Sequence, residues 1–304
     1  MDDLRELLDD FSTELRARNR APGTIDLYRR HVLAFTGWLE AAGLPTDATR
    51  VTRAHLRDYV TDLLTRPNQR TGKPLSATYA HGQYRSLQQF FGYLDAEDII
   101  DADPFTKMSP PTVVEAPVPI PTVEDLQGML KACAGTSYPQ RRDSAVIRLL
   151  VDTGMRIGEL AGLTVDDLDF GEDTAVVLGK GRRPRTVPFG GRTRTALRHY
   201  LRLRAAHPGH DMPALWLGSR GPMTGGGIQQ MIESRARQAG IGHIHPHQLR
   251  HFFAHHWLAE GGQEQDLMML LGWRSRQMLA RYGASAATAR ARSAHRRMRP
   301  GDRL

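Results

Sequence analysis

Six prolines between residues 101 and 121 (Pro104, Pro110, Pro111, Pro117, Pro119 and Pro121) forbid one continuous helical core. Proline fixes φ and lacks a backbone donor, so neither a helix nor a central strand runs through such a stretch. A semi-rigid, extended linker is predicted over 107–121, with one domain over 1–106 and another over 122–304. In a chain of 304 residues, each side is long enough to bury its own core.

Before the linker the apolar period is helical. Leu4, Leu7, Leu8, Phe11 and Leu15 predict a helix over 3–18. A second begins after Pro22-Gly23 with Thr24 as its N-cap, carries Ile25, Tyr28, Val32, Phe35 and Leu39, and stops at Ala42-Gly43. A third spans 52–65, and a fourth runs from Ser76 as N-cap to about Asp95. Together they predict a compact four-helix bundle. After the linker, Thr122-Val-Glu-Asp125 reads as a capping box opening a helix over 123–133. Helices over 141–152, 191–206, 225–239, 247–260, 264–271 and 275–282 follow, with a short one carrying Arg156. Residues 174–178 and 185–189 alternate as two strands around the turn at 179–184. The fold class is therefore mainly α, with a small antiparallel β-sheet in the second domain.

A net charge of +8 points to a polyanionic partner. Only Lys73, Lys107, Lys131 and Lys180 among the 41 basic residues are lysine, a bias that a GC-rich genome also produces. The single cysteine, Cys133, excludes a disulfide framework or a multi-cysteine metal site. No apolar run approaches the ~20 residues of a membrane span, and the first residues are charged, unlike a signal peptide. A cytoplasmic protein is expected.

Several motifs carry chemistry-bearing side chains, and each has a plainer alternative. Arg156 lies between Gly154 and Gly158 at a helix start, where a cation opposes the helix dipole unless an anion is present. It could equally be a surface arginine paired with Glu159 or Asp152. Lys180 sits at a hairpin tip with Arg182, Arg183 and Arg185, as a solvated turn or as an ammonium reaching a leaving-group oxygen. His247 and Arg250 are three apart on one helix face and pair an imidazole with a guanidinium fork. Six histidines fall between 243 and 256, and His247/His251 and His251/His255 have the i,i+4 spacing of a zinc helix. His251-Phe-Phe-Ala-His255 nonetheless has no acid between its histidines, so a metal is not expected there. Trp273 after Leu-Leu-Gly272, and Tyr282, would each pass alone for a structural aromatic.

In combination these motifs have a recognisable order. Thr153-Gly-Met-Arg156-Ile-Gly-Glu159-Leu, Gly179-Lys180-Gly181, His247-Gln-Leu-Arg250-His and Leu270-Leu-Gly-Trp273, with Tyr282 nine residues on, resemble the tyrosine recombinase family of phage integrases and Cre/Xer-like enzymes. The resemblance spans essentially the whole chain. It implies a SAM-like, core-binding N-terminal bundle and a catalytic domain from about residue 120, clamped around double-stranded DNA. It further implies that Tyr282 attacks a scissile phosphate and is left on its 3′ side. Arg156, Arg250 and Trp273 stabilise the charge, His247 and Lys180 move protons, and Glu159 buttresses the arginines. Trp273 stands where the family more often has histidine; an indole N–H donates but cannot shuttle a proton. No cofactor, ATP or metal is called for. Four protomers on two duplexes are implied, and the Ala/Arg-rich tail from Ala286 is a candidate for exchange between them.

Candidate DNA contacts in the bundle are Thr78, His81 and Arg85 for bases and Arg29, Arg30, Arg70 and Lys73 for phosphates, with Arg182 and Arg183 in the hairpin. Two further readings share the residue set: a topoisomerase IB-like nicking–closing enzyme, and a DNA-binding module without catalysis. A histidine-cluster metalloprotein is the third.

Overall fold

The computed structural model describes residues 2–68, 71–113, 119–179 and 183–273, and residues 275, 276, 279, 291, 295, 296, 298 and 302 beyond them. The chain divides into two compact units, Met1–Ala116 and Pro117–Leu304.

The first unit contains α1 (Leu4–Ala17), α2 (Pro22–Ala41), α3 (Arg53–Thr65) and α4 (Ala77–Ala96). Asp3 caps α1 by accepting from the Arg5 N–H, and Ser76 caps α4 by accepting from the Tyr79 N–H. α2 starts three residues earlier than the Thr24 cap predicts. Pro22 occupies its first turn, where proline's missing N–H costs nothing and its φ is already helical. The apolar stripes meet in a core of Phe11, Phe35, Tyr59, Phe90 and Phe91, each 3% exposed or less. Part of the proline-rich strap belongs to this unit. Phe105 is buried, the Tyr84 hydroxyl donates to the Met108 carbonyl at 2.9 Å, and His81 Nδ1 lies 3.1 Å from the Pro111 carbonyl oxygen.

The second unit opens with α5 (Val123–Ala132), and its capping box is present: Thr122 N–H donates to Asp125, and Asp125 N–H to the Thr122 hydroxyl. α6 (Tyr138–Thr153) is its central helix, with Ala145, Val146, Ile147, Leu149 and Leu150 at 1% exposure or less. It begins three residues before the predicted start because Pro139 sits in its first turn. α7 (Ile157–Ala161) leads to β1 (Leu168–Asp169), β2 (Thr174–Leu178) and β3 (Pro184–Pro188), an antiparallel sheet in that order with Val177 opposite Arg185. α8 (Gly191–Arg204), the short pair β4 (Leu217–Gly218) and β5 (Gly221–Pro222), α9 (Gly225–Gln238), α10 (Pro246–Ala259) and α11 (Glu264–Leu271) complete the described elements. β1, β4 and β5 have two residues each, too few to show a period in sequence. Most of the predicted 275–282 helix and the tail lie outside the described residues. No helix among the described residues is long and apolar enough to cross a membrane.

A buried ion pair ties α5, α6 and α9 together. Asp143 accepts from Arg235 Nε and Nη2 at 2.9 and 2.7 Å and from Arg142 at 2.9 Å, while Arg235 Nη1 reaches the Ala132 carbonyl. Removing one partner of such a pair leaves an uncompensated buried charge. Asp143→Ala is expected to lower stability by about 3–5 kcal/mol, measured as the urea unfolding midpoint of the transition that reports Trp216.

Candidate active site

α6 ends at Gly154, which takes the left-handed conformation at φ +59°. A Cβ there would come within 2.6 Å of Phe253 and 2.8 Å of Leu271, so glycine is required on both counts. The turn delivers Arg156 to the N-cap of α7. The anion that the arginine's position calls for is partly internal. Glu159 accepts from the Arg156 backbone N–H at 2.7 Å and from its Nη1 at 2.9 Å. Asp152, the other predicted partner, instead accepts from the Gly190 N–H.

Glu159 also binds Arg185, whose Nη1 and Nη2 donate to its two oxygens at 2.9 and 2.8 Å. Arg185 Nε donates to the Leu270 carbonyl at 2.8 Å. This arginine therefore joins β3, α7 and the end of α11, a role absent from the sequence expectations. A signal existed: Arg185 shares a face of β3 with Val187, which is 1% exposed. Burial opposes ionisation of Glu159, but the guanidinium of Arg185 and the backbone and side chain of Arg156 outweigh it and hold its pKa at about 2.

α10 supplies His247 and Arg250. Arg250 is 2% exposed; Nη1 donates to the Gly154 carbonyl at 2.8 Å and Nη2 to the Leu271 carbonyl at 2.7 Å. Its guanidinium lies 5.5 Å from the Trp273 ring centroid. Trp273 itself is buried beside Ala254, Leu258, Leu267 and Leu271. It is placed by the left-handed Gly272, with Trp273 N–H bonded to Met268 O and Gly272 N–H to Met269 O. Gly272 thus closes α11 as a glycine C-cap. His247 is exposed. Partial desolvation, then the charges of Arg250 and Arg156, push its pKa below the usual value.

Lys180, Arg182 and Tyr282 lie outside the described residues, as does Arg70. The hairpin that leads to Lys180 is closed by Gly179 N–H to the Arg183 carbonyl at 2.9 Å, and Arg183 is exposed. In the bundle, Lys73, Thr78 and Arg85 are exposed, Arg85 donating to Gln88. Arg29 is held by Asp9 at 2.6 Å and Ser12 at 3.0 Å, and Arg30 by the Asp26 carbonyl. His81 faces the strap rather than open solvent. Among the described residues, the α10 histidines 247, 251 and 255 do not gather into a three-ligand group.

Residues 122–289 match the family model described as the phage integrase family. The chain is 31% identical over 285 residues to tyrosine recombinase XerC of Oceanobacillus iheyensis, covering 90% of each protein. It is 33% identical over 261 residues to tyrosine recombinase XerD of Corynebacterium glutamicum, covering 84% of this chain and 85% of that one. In fold it is similar to XerH recombinase bound to palindromic difH substrate, with a TM-score of 0.71, 18% identity and coverage of 93% and 84%. It is likewise similar to a Tn1549 transposon integrase in complex with circular intermediate DNA, with a TM-score of 0.73, 20% identity and coverage of 98% and 100%.

The low pKa of Glu159 sets a pH window. A carboxyl shifted from 4.5 to about 2 contributes about 3 kcal/mol at ~1.4 kcal/mol per pH unit, present above pH 4.5 and lost as pH falls toward 2. Glu159→Gln is therefore expected to be less stable than wild type by up to about 3 kcal/mol at pH 7. The gap should narrow below pH 4.5 in denaturant titrations run at several pH values.

Proposed function

The chain belongs to the phage integrase family, and from that premise we propose that Tyr282 is its nucleophile and that Arg156, Lys180, His247, Arg250 and Trp273 complete its site. The reaction is site-specific DNA recombination by strand cleavage and rejoining. The observation that carries the residue assignment is Arg250 of α10, bonded to the Gly154 carbonyl in the turn that leads to Arg156 and set against the Trp273 ring.

The Tyr282 hydroxyl attacks the scissile phosphorus, a P–O bond to tyrosine forms, and the bond to the 5′-oxygen breaks. His247 takes the phenolic proton and Lys180 gives one to the departing 5′-oxygen. The phosphoester bond is conserved in the 3′-phosphotyrosine, so a 5′-hydroxyl from the partner strand reverses the step without ATP. Arg156 and Arg250 meet the extra charge of the pentacoordinate transition state. Because Arg250 is held by two carbonyls, its charge is in place before substrate arrives. The first unit grips the recombination site through Lys73, Thr78 and Arg85 and, with their present contacts rearranged, Arg29 and Arg30. Two protomers occupy each site and four bring two duplexes together, with the Ala/Arg tail passing between neighbours. The protein acts on nucleoid DNA in the cytoplasm.

The test is to trap the adduct. Cells expressing wild type or Tyr282→Phe are denatured rapidly, and the DNA that stays attached to protein is sequenced. Wild type should carry one recurring site and Tyr282→Phe none; equal yields from both would refute the assignment. On that site, Arg250→Ala is expected to slow cleavage about 10²- to 10³-fold in single-turnover assays. A substrate with sulfur in place of the bridging 5′-oxygen needs no proton to leave. It should restore cleavage to Lys180→Ala but not to Tyr282→Phe.

A further inference from the structure

The histidine-rich run before and within α10 is only partly used by the reaction. Of the five it leaves unused, His243 and His245 flank Ile244, which is 4% exposed and packs in the core of the second unit. His245 is extended, and with Ile244 anchored inward both flanking imidazoles are exposed. Their ring centroids are 4.1 Å apart. Glu233 of α9 faces them, with His243 Nε2 at 3.9 Å from its Oε1. One donor atom from each of the three residues lies within 4.8 Å of the others.

We propose that Glu233, His243 and His245 bind a divalent transition-metal ion of the zinc class. Two imidazoles and a carboxylate suit zinc, cobalt or nickel, and are unlike the all-oxygen sets that magnesium and calcium prefer. In a tetrahedral site with bonds near 2.0–2.1 Å, ligand atoms stand about 3.3 Å apart, so small rotations of exposed side chains close the present spacing. An outer partner is already in place: Gln229 Nε2 donates to Glu233 Oε1 at 2.8 Å and orients the carboxylate. Three protein ligands leave the fourth position to water.

The ion would take no part in strand cleavage. It would pin α9 to His245, the N-cap residue of α10, across a loop that contains Gly240 and Gly242. It thereby stiffens the entry to the helix that bears Arg250. The site stands or falls separately from the assignment of Tyr282, because it is read out by binding.

The experiment uses full-length protein without a polyhistidine tag, stripped with chelator and dialysed. Zn²⁺ is titrated in competition with a chromophoric indicator, and Co²⁺ is followed by its visible absorption. Wild type should take up one ion per chain, show tetrahedral cobalt bands and gain thermal stability with added Zn²⁺. The His243→Asn/His245→Asn double variant should lose all three responses. Gln229→Leu, which keeps every ligand, should bind about tenfold or more weakly. His256→Asn should bind as wild type does. Absence of binding by wild type, or equal binding by wild type and the double variant, would overturn the proposal. So would an equal loss in His256→Asn.

Discussion

One buried carboxylate fixes the site. Glu159 is 8% exposed and shared by two guanidiniums, those of Arg156 and Arg185. A charge removed from water is costly, and it is tolerated here because two opposite charges and a backbone N–H converge on it. The arrangement works in reverse as well. Without the carboxylate, two arginines would repel across the junction of α7 and β3. The two guanidiniums exceed the one carboxylate by a positive charge, and Arg250, bound to the Gly154 carbonyl two residues before Arg156, brings another. The cost of assembling that charge is met during folding rather than during reaction, which is the condition for electrostatic preorganisation.

Much of this could be read in the sequence, and the exceptions have physical causes. The helices were legible because their apolar residues recur with a helical period and several, such as α1, α4 and α5, are capped by Asp, Ser or Thr. The starts of α2 and α6 were displaced by proline, whose place in a first turn is compatible with helix but is easily read as a break. In the candidate site, the order of motifs pointed to Arg156, His247, Arg250 and Trp273; the structure sets Arg250 against Trp273, ties it to the Gly154 carbonyl two residues before Arg156, and carries His247 on the same helix as Arg250. Arg185 was passed over because a basic hairpin reads as solvated; only its register opposite Val177, on the Val187 face, reveals that it turns inward. Long-range partners such as the Leu270 carbonyl have no local signature at all.

The bundle shows the same limit from the other side. Arg29 and Arg30 look like phosphate ligands in a basic chain, yet both make contacts within the first unit, with Asp9, Ser12 and the Asp26 carbonyl. His81 sits on the helix face that also carries Thr78 and Arg85, but it is turned to the strap by the Pro111 carbonyl. Charge and periodicity identify which residues could reach a ligand. Competition from neighbouring acceptors decides which remain available.

Arg185 and Arg250 hold the end of α11 through the carbonyl oxygens of Leu270 and Leu271, not through their side chains. Every residue presents the same carbonyl, so these two hydrogen bonds do not depend on which side chain stands at 270, whereas Leu271 is also held by its buried side chain. Both bonds do depend on the length of the helix. One residue added to or deleted from α11 would rotate its last turn by about 100° and carry both oxygens away from their donors. At its exposed positions the helix therefore tolerates substitution far better than insertion or deletion, and related chains should differ there while keeping the apolar residues at 267 and 271 and the helix's length.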